Sequence, residues 1–223
     1  MAPHAIVSYD DTPNDQDALV LGHMLADAGA RLTLAYVSHR AEPDEHAAWD
    51  LLERGALWLD DVAHHVDRRV VVSPSTGEGL RWLALQECAD VVVFGSDYRT
   101  AAGHVSPGRS AQTLLEGGPA ALAIAPADYR EHRDAEIRTI GLLADPGDDA
   151  TLETARELAG ALAATVTRDE PRVDLLVVGS RSEAPRGHVL ITAAAANAVE
   201  NATSPVLIVA RGAPIEFGSL VGA

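Results

Sequence analysis

Short runs of apolar residues alternate with longer stretches of helical periodicity over residues 1–126, and this alternation constrains the fold most. Two of the runs, AIVSY and DVVVFG, are almost wholly apolar. Strands with this pattern are buried on both faces, as in a parallel sheet covered by helices. We therefore predict an α/β fold with strands at residues 5–9, 31–37, 69–72, 90–95 and 120–125. Helices are predicted between them at residues 15–30, 43–66, 74–89 and 108–116.

The same pattern restarts after a charged stretch at residues 126–136. Gly179 follows Gly95 at an offset of 84 in the numbering, and the two Gly-His-Val triplets of the chain have the same offset. The last apolar runs, residues 122–125 and 207–210, follow at an offset of 85. Self-similarity at a fixed offset indicates an internal duplication. Earlier elements of the second copy are predicted as strands at 137–143 and 173–179 and a helix at 149–164.

The two copies differ in length. The offset from Ile6 to Gly95 in the first is 89, and the offset from Ile140 to Gly179 in the second is 39. The difference equals about two helices and one strand, so the second copy is predicted to keep four of five strands. A shortened copy buries less apolar surface, so we expect it to pack on the first copy and to favour a homodimer. The predicted organisation is a first domain at 1–126, a linker at 127–136, an abbreviated second domain at 137–213 and a tail at 214–223.

Composition excludes several classes of function. All 17 basic residues are arginine, and 33 acidic residues give a net charge of −16. Without lysine there is no Walker A lysine, no kinase strand lysine and no pyridoxal Schiff base. The negative charge repels nucleic acid and anionic lipid, so neither is an expected partner. The single cysteine, Cys88, is interpreted as a small core residue, and the absence of a leader or long apolar run favours a cytoplasmic protein.

The residues after the first and fourth predicted strands carry a family resemblance. Asp10 ends the first strand, and after the fourth strand Gly108 follows Gly95 at an offset of 13. Nucleotide-binding members of the universal stress protein family have an aspartate at the end of the first strand and the motif G-x2-G-x9-G-[ST] after the fourth strand. Tyr98 replaces the middle glycine of that motif and Arg109 replaces its hydroxyl residue. With the closing strand SPVLIVARG, the sequence resembles this family in its tandem form.

The resemblance implies two flavodoxin-like, adenine nucleotide alpha hydrolase-like units, with strand order 3-2-1-4-5 in the first and pairing of their last strands. It also implies ATP, ADP or AMP bound in the first unit, because the second keeps only Gly179 of the motif. Asp10 then contacts the adenosine, serves as a turn or N-cap carboxylate for the helix opening near Asn14, or does both. Tyr98 either swings outward or occupies the cleft, and Arg109 replaces the lost phosphate contact. The implied binding residues are Asp10, Asp11, Thr12, Val37, Gly95, Ser96, Gly108, Arg109 and Ser110.

No catalytic residue and no metal site are predicted, because no nucleophile elbow, acid–base carboxylate pair or cluster of metal ligands stands out. The adjacent His64 and His65 would point about 100° apart on a helix and are interpreted as surface residues. Three functions remain open. They are a stress-response regulator whose nucleotide state alters binding to a protein partner, a nucleotide-free protein-interaction module, and a slow ATPase.

Overall fold

A computed structural model describes residues 1–59, 66–168, 170 and 172–218, and it contains one nine-stranded sheet. The N-terminal half comprises β1 (His4–Ser8), α1 (Pro13–Asp27), β2 (Arg31–Ser38), α2 (Glu45–Trp58), β3 (Val66–Val72), α3 (Thr76–Gln86), β4 (Val91–Gly95), α4 (Arg109–Leu115) and β5 (Ala121–Ala125). The C-terminal half comprises β6 (Thr139–Leu143), α5 (Asp149–Leu162), β7 (Thr165–Thr167), β8 (Leu175–Gly179), α6 (Ala193–Glu200) and β9 (Val206–Val209).

The strand order across the sheet is β3-β2-β1-β4-β5-β9-β8-β6-β7. The N-terminal half therefore has the expected order 3-2-1-4-5. The C-terminal half repeats the order β2-β1-β4-β5 as β7-β6-β8-β9, without counterparts of α2, β3 and α3 among the described residues. Both the α/β fold class and the predicted loss of two helices and one strand are confirmed.

The sheet is buried under one apolar layer on each face. Helices α1, α2 and α5 cover the first face, where Leu19, Leu52 and Leu158 are fully buried. Helices α3, α4 and α6 cover the second face, where Leu80 and Leu114 are fully buried among others. Each layer includes residues of both halves, so the halves share their core instead of folding around separate ones.

The two halves join where β5 pairs with β9. This pair is antiparallel, whereas neighbouring strands within each half are parallel. Ala123 lies opposite Leu207, which follows it at an offset of 84 in the numbering. The predicted pairing of the last strands is thus present.

Two hydrogen bonds cross this junction reciprocally. The Val105 N–H donates to the Ala202 carbonyl at 3.1 Å, and the Val189 N–H donates to the Gly118 carbonyl at 2.9 Å. The two donors differ by 84 in residue number, and so do the two acceptors. A pseudo-twofold axis therefore relates the two halves at the junction.

The loops after β4 and β8 also share their internal hydrogen bonds. The Ser96 and Ser180 hydroxyls each donate, at 2.7 Å, to the carbonyl of the last residue of β5 or β9. Gly103 and Gly187 have φ angles of 74° and 77°, in the left-handed region that favours glycine. Backbone conformation accounts for the glycine in each Gly-His-Val triplet.

Two sequence-based assignments are wrong. Helix α2 ends at Trp58 and β3 begins at Val66, where a continuing helix was predicted. The predicted surface histidines, His64 and His65, lie outside the described residues. Cys88 is exposed in a turn with φ 49°, because α3 ends two residues before it, so it is not a core residue.

The connection between the halves is held against α1. A short 3-10 helix, Tyr129–His132, follows Asp128, and Tyr129 is buried. Asp17 of α1 is fully buried and accepts hydrogen bonds from the backbone N–H groups of Asp128 (3.0 Å) and Arg130 (2.8 Å). The Arg130 guanidinium also contacts Asp17, at 3.1 Å. This part of the predicted linker is therefore a packed segment.

Candidate functional site

A cleft of about 730 Å³ lies at the carboxyl ends of β1 and β4. The strand order changes direction between these two strands, which is where ligands bind in open parallel sheets. The starts of α1 and α4 and the loop after β4 form its walls. The lining residues that carry the argument below are Asp10, Thr12, Asn14, Asp15, Gly95, Ser96, Asp97, Tyr98, Thr100, Gly108, Arg109, Ser110, Asp128 and Arg130.

The structure brings most of the sequence-predicted residues together in this cleft. Those lining it are Asp10, Thr12, Gly95, Ser96, Gly108, Arg109 and Ser110. Asp11 instead accepts hydrogen bonds from the Tyr9 hydroxyl (2.8 Å) and the Arg54 guanidinium (2.7 Å), and these contacts lower its pKa, with the Arg54 bond the larger cause. Val37 is buried against Gly79 of α3 and is not among the lining residues.

The two glycines of the motif have different surroundings. A methyl carbon on Gly95 would overlap the backbone carbonyl of Asn14, so close packing of α1 on β4 requires glycine there. Gly108 has an ordinary φ of −67°, and a methyl carbon on it would lie no closer than 3.8 Å to Asp97, its nearest neighbour. Neither packing nor backbone conformation requires glycine at this second position.

The loop between β1 and α1 and the first turn of α1 each supply one carboxylate to the cleft, Asp10 and Asp15. Thr12 is the N-cap, which excludes the capping role predicted as an alternative for Asp10. Asp15 accepts hydrogen bonds from the Thr12 hydroxyl (2.6 Å) and from the Asp10 N–H (3.1 Å). Burial raises the pKa of both Asp10 and Asp15, although His39 opposes the rise at Asp10 and the hydrogen bonds oppose it at Asp15.

The loop after β4 keeps its aromatic side chain out of the cleft. Tyr98 is 72% exposed, and the Arg99 guanidinium lies 4.9 Å from its ring centroid. Tyr98 therefore lines the mouth without filling the interior. Thr100 also lines the cleft, and its hydroxyl oxygen is buried with no hydrogen-bond partner among the described residues.

The contributions of Asn14, Asp97, Thr100 and Arg130 were not predicted. The sequence did place Tyr98 and Arg99 in the glycine loop, so Asp97 next to them was open to prediction. Arg130 reaches the cleft from beyond β5, and no local pattern indicates that approach. Within the described residues, no group of three or more His, Cys, Asp or Glu side chains is placed to hold a metal ion.

The glycine at the end of β8, the counterpart of Gly95, lies against a carboxylate at the start of α5. A methyl carbon on Gly179 would overlap the carboxylate of Asp148, the N-cap of α5. The Thr151 hydroxyl donates to that carboxylate at 2.5 Å. The Asp148 carboxylate therefore covers the glycine at the end of β8.

Solved structures with the same fold include universal stress proteins. A protein assigned to them, from Pseudomonas aeruginosa UCBPP-PA14, is 14% identical with a TM-score of 0.68, covering 93% of this chain and 93% of that one. A functionally unknown protein from Pseudomonas aeruginosa PAO1 is 14% identical with a TM-score of 0.69, covering 94% and 93%. A universal stress protein from Archaeoglobus fulgidus DSM 4304 is 11% identical with a TM-score of 0.62, covering 94% and 98%.

No family model and no curated protein matches the chain. The structural similarities extend over almost the whole chain and establish a universal stress protein fold. Among the described residues, no helix is both long and apolar enough to span a membrane.

Proposed function

We propose that this chain is a tandem universal stress protein whose N-terminal half binds an adenine nucleotide or nucleoside, and whose occupancy alters binding to a protein partner. The observation that carries the proposal is the cleft at the switch point between β1 and β4, in a fold shared with universal stress proteins. The domain boundaries at residues 126 and 137, a homodimer and a cytoplasmic location stay predictions.

The offset of 84 supports the tandem part of the proposal. Matching hydrogen bonds at that offset recur in the loops after β4 and β8 and across the β5–β9 junction. Gly108 supports the ligand part. A glycine that the fold does not require leaves room for close approach of a ligand.

The direct test has two measurements. Mass spectrometry of small molecules released from the purified, heat-denatured chain should detect an adenine compound, and calorimetry should detect binding of adenosine, AMP or ATP. Gly108→Val should abolish binding, because its side chain would enter the cleft. Gly160→Val is the matched control, since Gly160 of α5 also has open space around it and lies outside the cleft. Absence of binding by all three compounds to the wild-type chain would refute the nucleotide proposal.

The second candidate is a nucleotide-free interaction module. An apolar surface at the edge of the sheet favours it: Val72, Trp82 and Leu85 are 53%, 54% and 55% exposed, beside the edge strand β3. The same release and calorimetry experiments separate the candidates, because this one requires an empty, non-binding cleft. Slow ATP hydrolysis is favoured by no observation in the described residues.

A further inference from the structure

A carboxylate of the chain lies where the resemblance places phosphates. Asp97 belongs to the loop after β4, and its Oδ1 accepts a hydrogen bond from the Arg99 N–H at 3.0 Å. Its Oδ2 faces the start of α4, since a methyl carbon on Gly108 would lie 3.9 Å from that oxygen. The negative charge is therefore fixed between the two ends of the glycine loop.

The other ionisable side chains that line the cleft are mostly acidic. Asp10, Asp15 and Asp128 also line the cleft, so with Asp97 it has four carboxylates among the described residues. Its two cations there are Arg109 and Arg130, and Arg130 is already paired with Asp17 and Asp128. That leaves the exposed Arg109, whose guanidinium has no partner among the described residues, as the cation available to a ligand.

We propose that, among adenine ligands, this cleft selects the uncharged nucleoside over the triphosphate, and that Asp97 sets this preference. The inference rests on the proposed function, because it concerns the ligand of the same cleft. Phosphate groups placed near Asp97 would meet a fixed like charge, whereas the hydroxyl and amino groups of a nucleoside can donate to carboxylates. At an effective dielectric constant between those of water and the protein interior, such repulsion lowers the affinity for the triphosphate by about tenfold or more.

Calorimetry on the full chain tests the proposal with adenosine, AMP, ATP and Mg²⁺-ATP at low and high salt. Adenosine should bind at least about tenfold more tightly than ATP at low salt, and the ratio should shrink at high salt because screening weakens charge repulsion. Asp97→Asn should tighten ATP binding by about tenfold while leaving adenosine affinity within about twofold, since asparagine keeps an acceptor oxygen for the Arg99 N–H.

Glu183→Gln is the matched control. Glu183 is exposed in the corresponding loop after β8, so its substitution removes one negative charge outside the cleft. It should leave the ratio of adenosine to ATP affinity unchanged. If Glu183→Gln changed ATP affinity as much as Asp97→Asn does, the net charge of the chain, and not Asp97, would set the preference.

The remaining outcomes separate this inference from the proposed function. Wild-type ATP affinity equal to or above that of adenosine would overturn the inference and leave adenine binding standing. Equal changes in adenosine affinity and ATP affinity on Asp97→Asn would overturn the role of Asp97. Failure of both the wild-type chain and Asp97→Asn to bind any of the four probes would overturn the inference and the proposed function together.

Discussion

The loops after β4 and β8 have the same backbone hydrogen bonds, yet the helices that begin beside them are capped by different side chains. At the start of α1, the Thr12 hydroxyl is the N-cap and Asp15 is the third residue of the helix. At the start of α5 these chemical groups change places, with Asp148 as the N-cap and Thr151 as the third residue. The exchange places the Asp148 carboxylate against Gly179, whereas Gly95 packs against the backbone carbonyl of Asn14. One local exchange of capping groups thus gives the two matching loops different chemical surroundings.

Glycine substitutions give the largest expected effects and test this contrast. Gly95→Ala should lower the free energy of unfolding by about 3 kcal/mol or more, because its methyl group meets backbone that cannot move away. Gly179→Ala should cost about 1–2 kcal/mol, since the Asp148 side chain can rotate. Gly108→Ala should stay within about 0.5 kcal/mol. Urea unfolding measures all three, and equal losses at Gly95 and Gly179 would contradict the contrast.

The next largest losses of stability are expected at the two side chains that hold the segments after β5 and β9 in place. Asp17 of α1 accepts bonds from two backbone N–H groups and the Arg130 guanidinium, while the Thr154 hydroxyl of α5 accepts one bond, from the Ile215 N–H at 3.0 Å. Asp17→Ala should cost about 2–3 kcal/mol, because three donors lose their acceptor. Thr154→Val should cost about 1 kcal/mol for one unsatisfied N–H. A larger loss for Thr154→Val in the same urea experiment would contradict this ranking.

A pH dependence of stability is expected from a buried histidine of the N-terminal half. The N–H of His4 in β1 donates to Asp90, and that of Thr139 in β6 donates to Asp174, so Thr139 is the counterpart of His4. The His4 residue is 1% exposed, its Nε2 lies 2.7 Å from the Thr33 hydroxyl, and burial lowers its pKa from 6.5. The folded chain therefore favours neutral His4.

The sign of the effect follows from that shift. As pH falls below about 6.5, the unfolded state takes up a proton before the folded state does, so stability falls, by at most about 1.4 kcal/mol per pH unit. Above that pH, His4 adds nothing to the pH dependence of the unfolding free energy. His4→Gln should flatten the profile of unfolding free energy between about pH 5 and 7. An unchanged slope in that variant would assign the titration to other groups.

The sequence predicted elements whose apolar pattern is strong and missed those whose pattern is weak. The fully apolar run of β4 was predicted to within one residue, whereas β7, a short run of threonine and valine at the edge of the sheet, was not. The exposure of Cys88 was missed because helical periodicity does not show that α3 ends at Gln86.

The candidate site was predicted where it depends on local motif spacing. Asp10, Gly95 and Gly108, which the family resemblance places at the ligand, line the cleft. The approach of Arg130 depends on the buried carboxylate of Asp17, which lies far earlier in the chain. Such a long-range contact leaves no periodic or spacing signal in a single sequence.

The antiparallel β5–β9 junction has a consequence for how the assembly responds to dilution. Two separate subunits joined through their last strands would dissociate when their concentration falls below the dissociation constant. Here the two strands belong to one chain, so each meets the other at a fixed effective concentration set by the intervening segment. The nine-stranded sheet is therefore expected to stay intact however scarce the protein becomes, and its assembly is a first-order process.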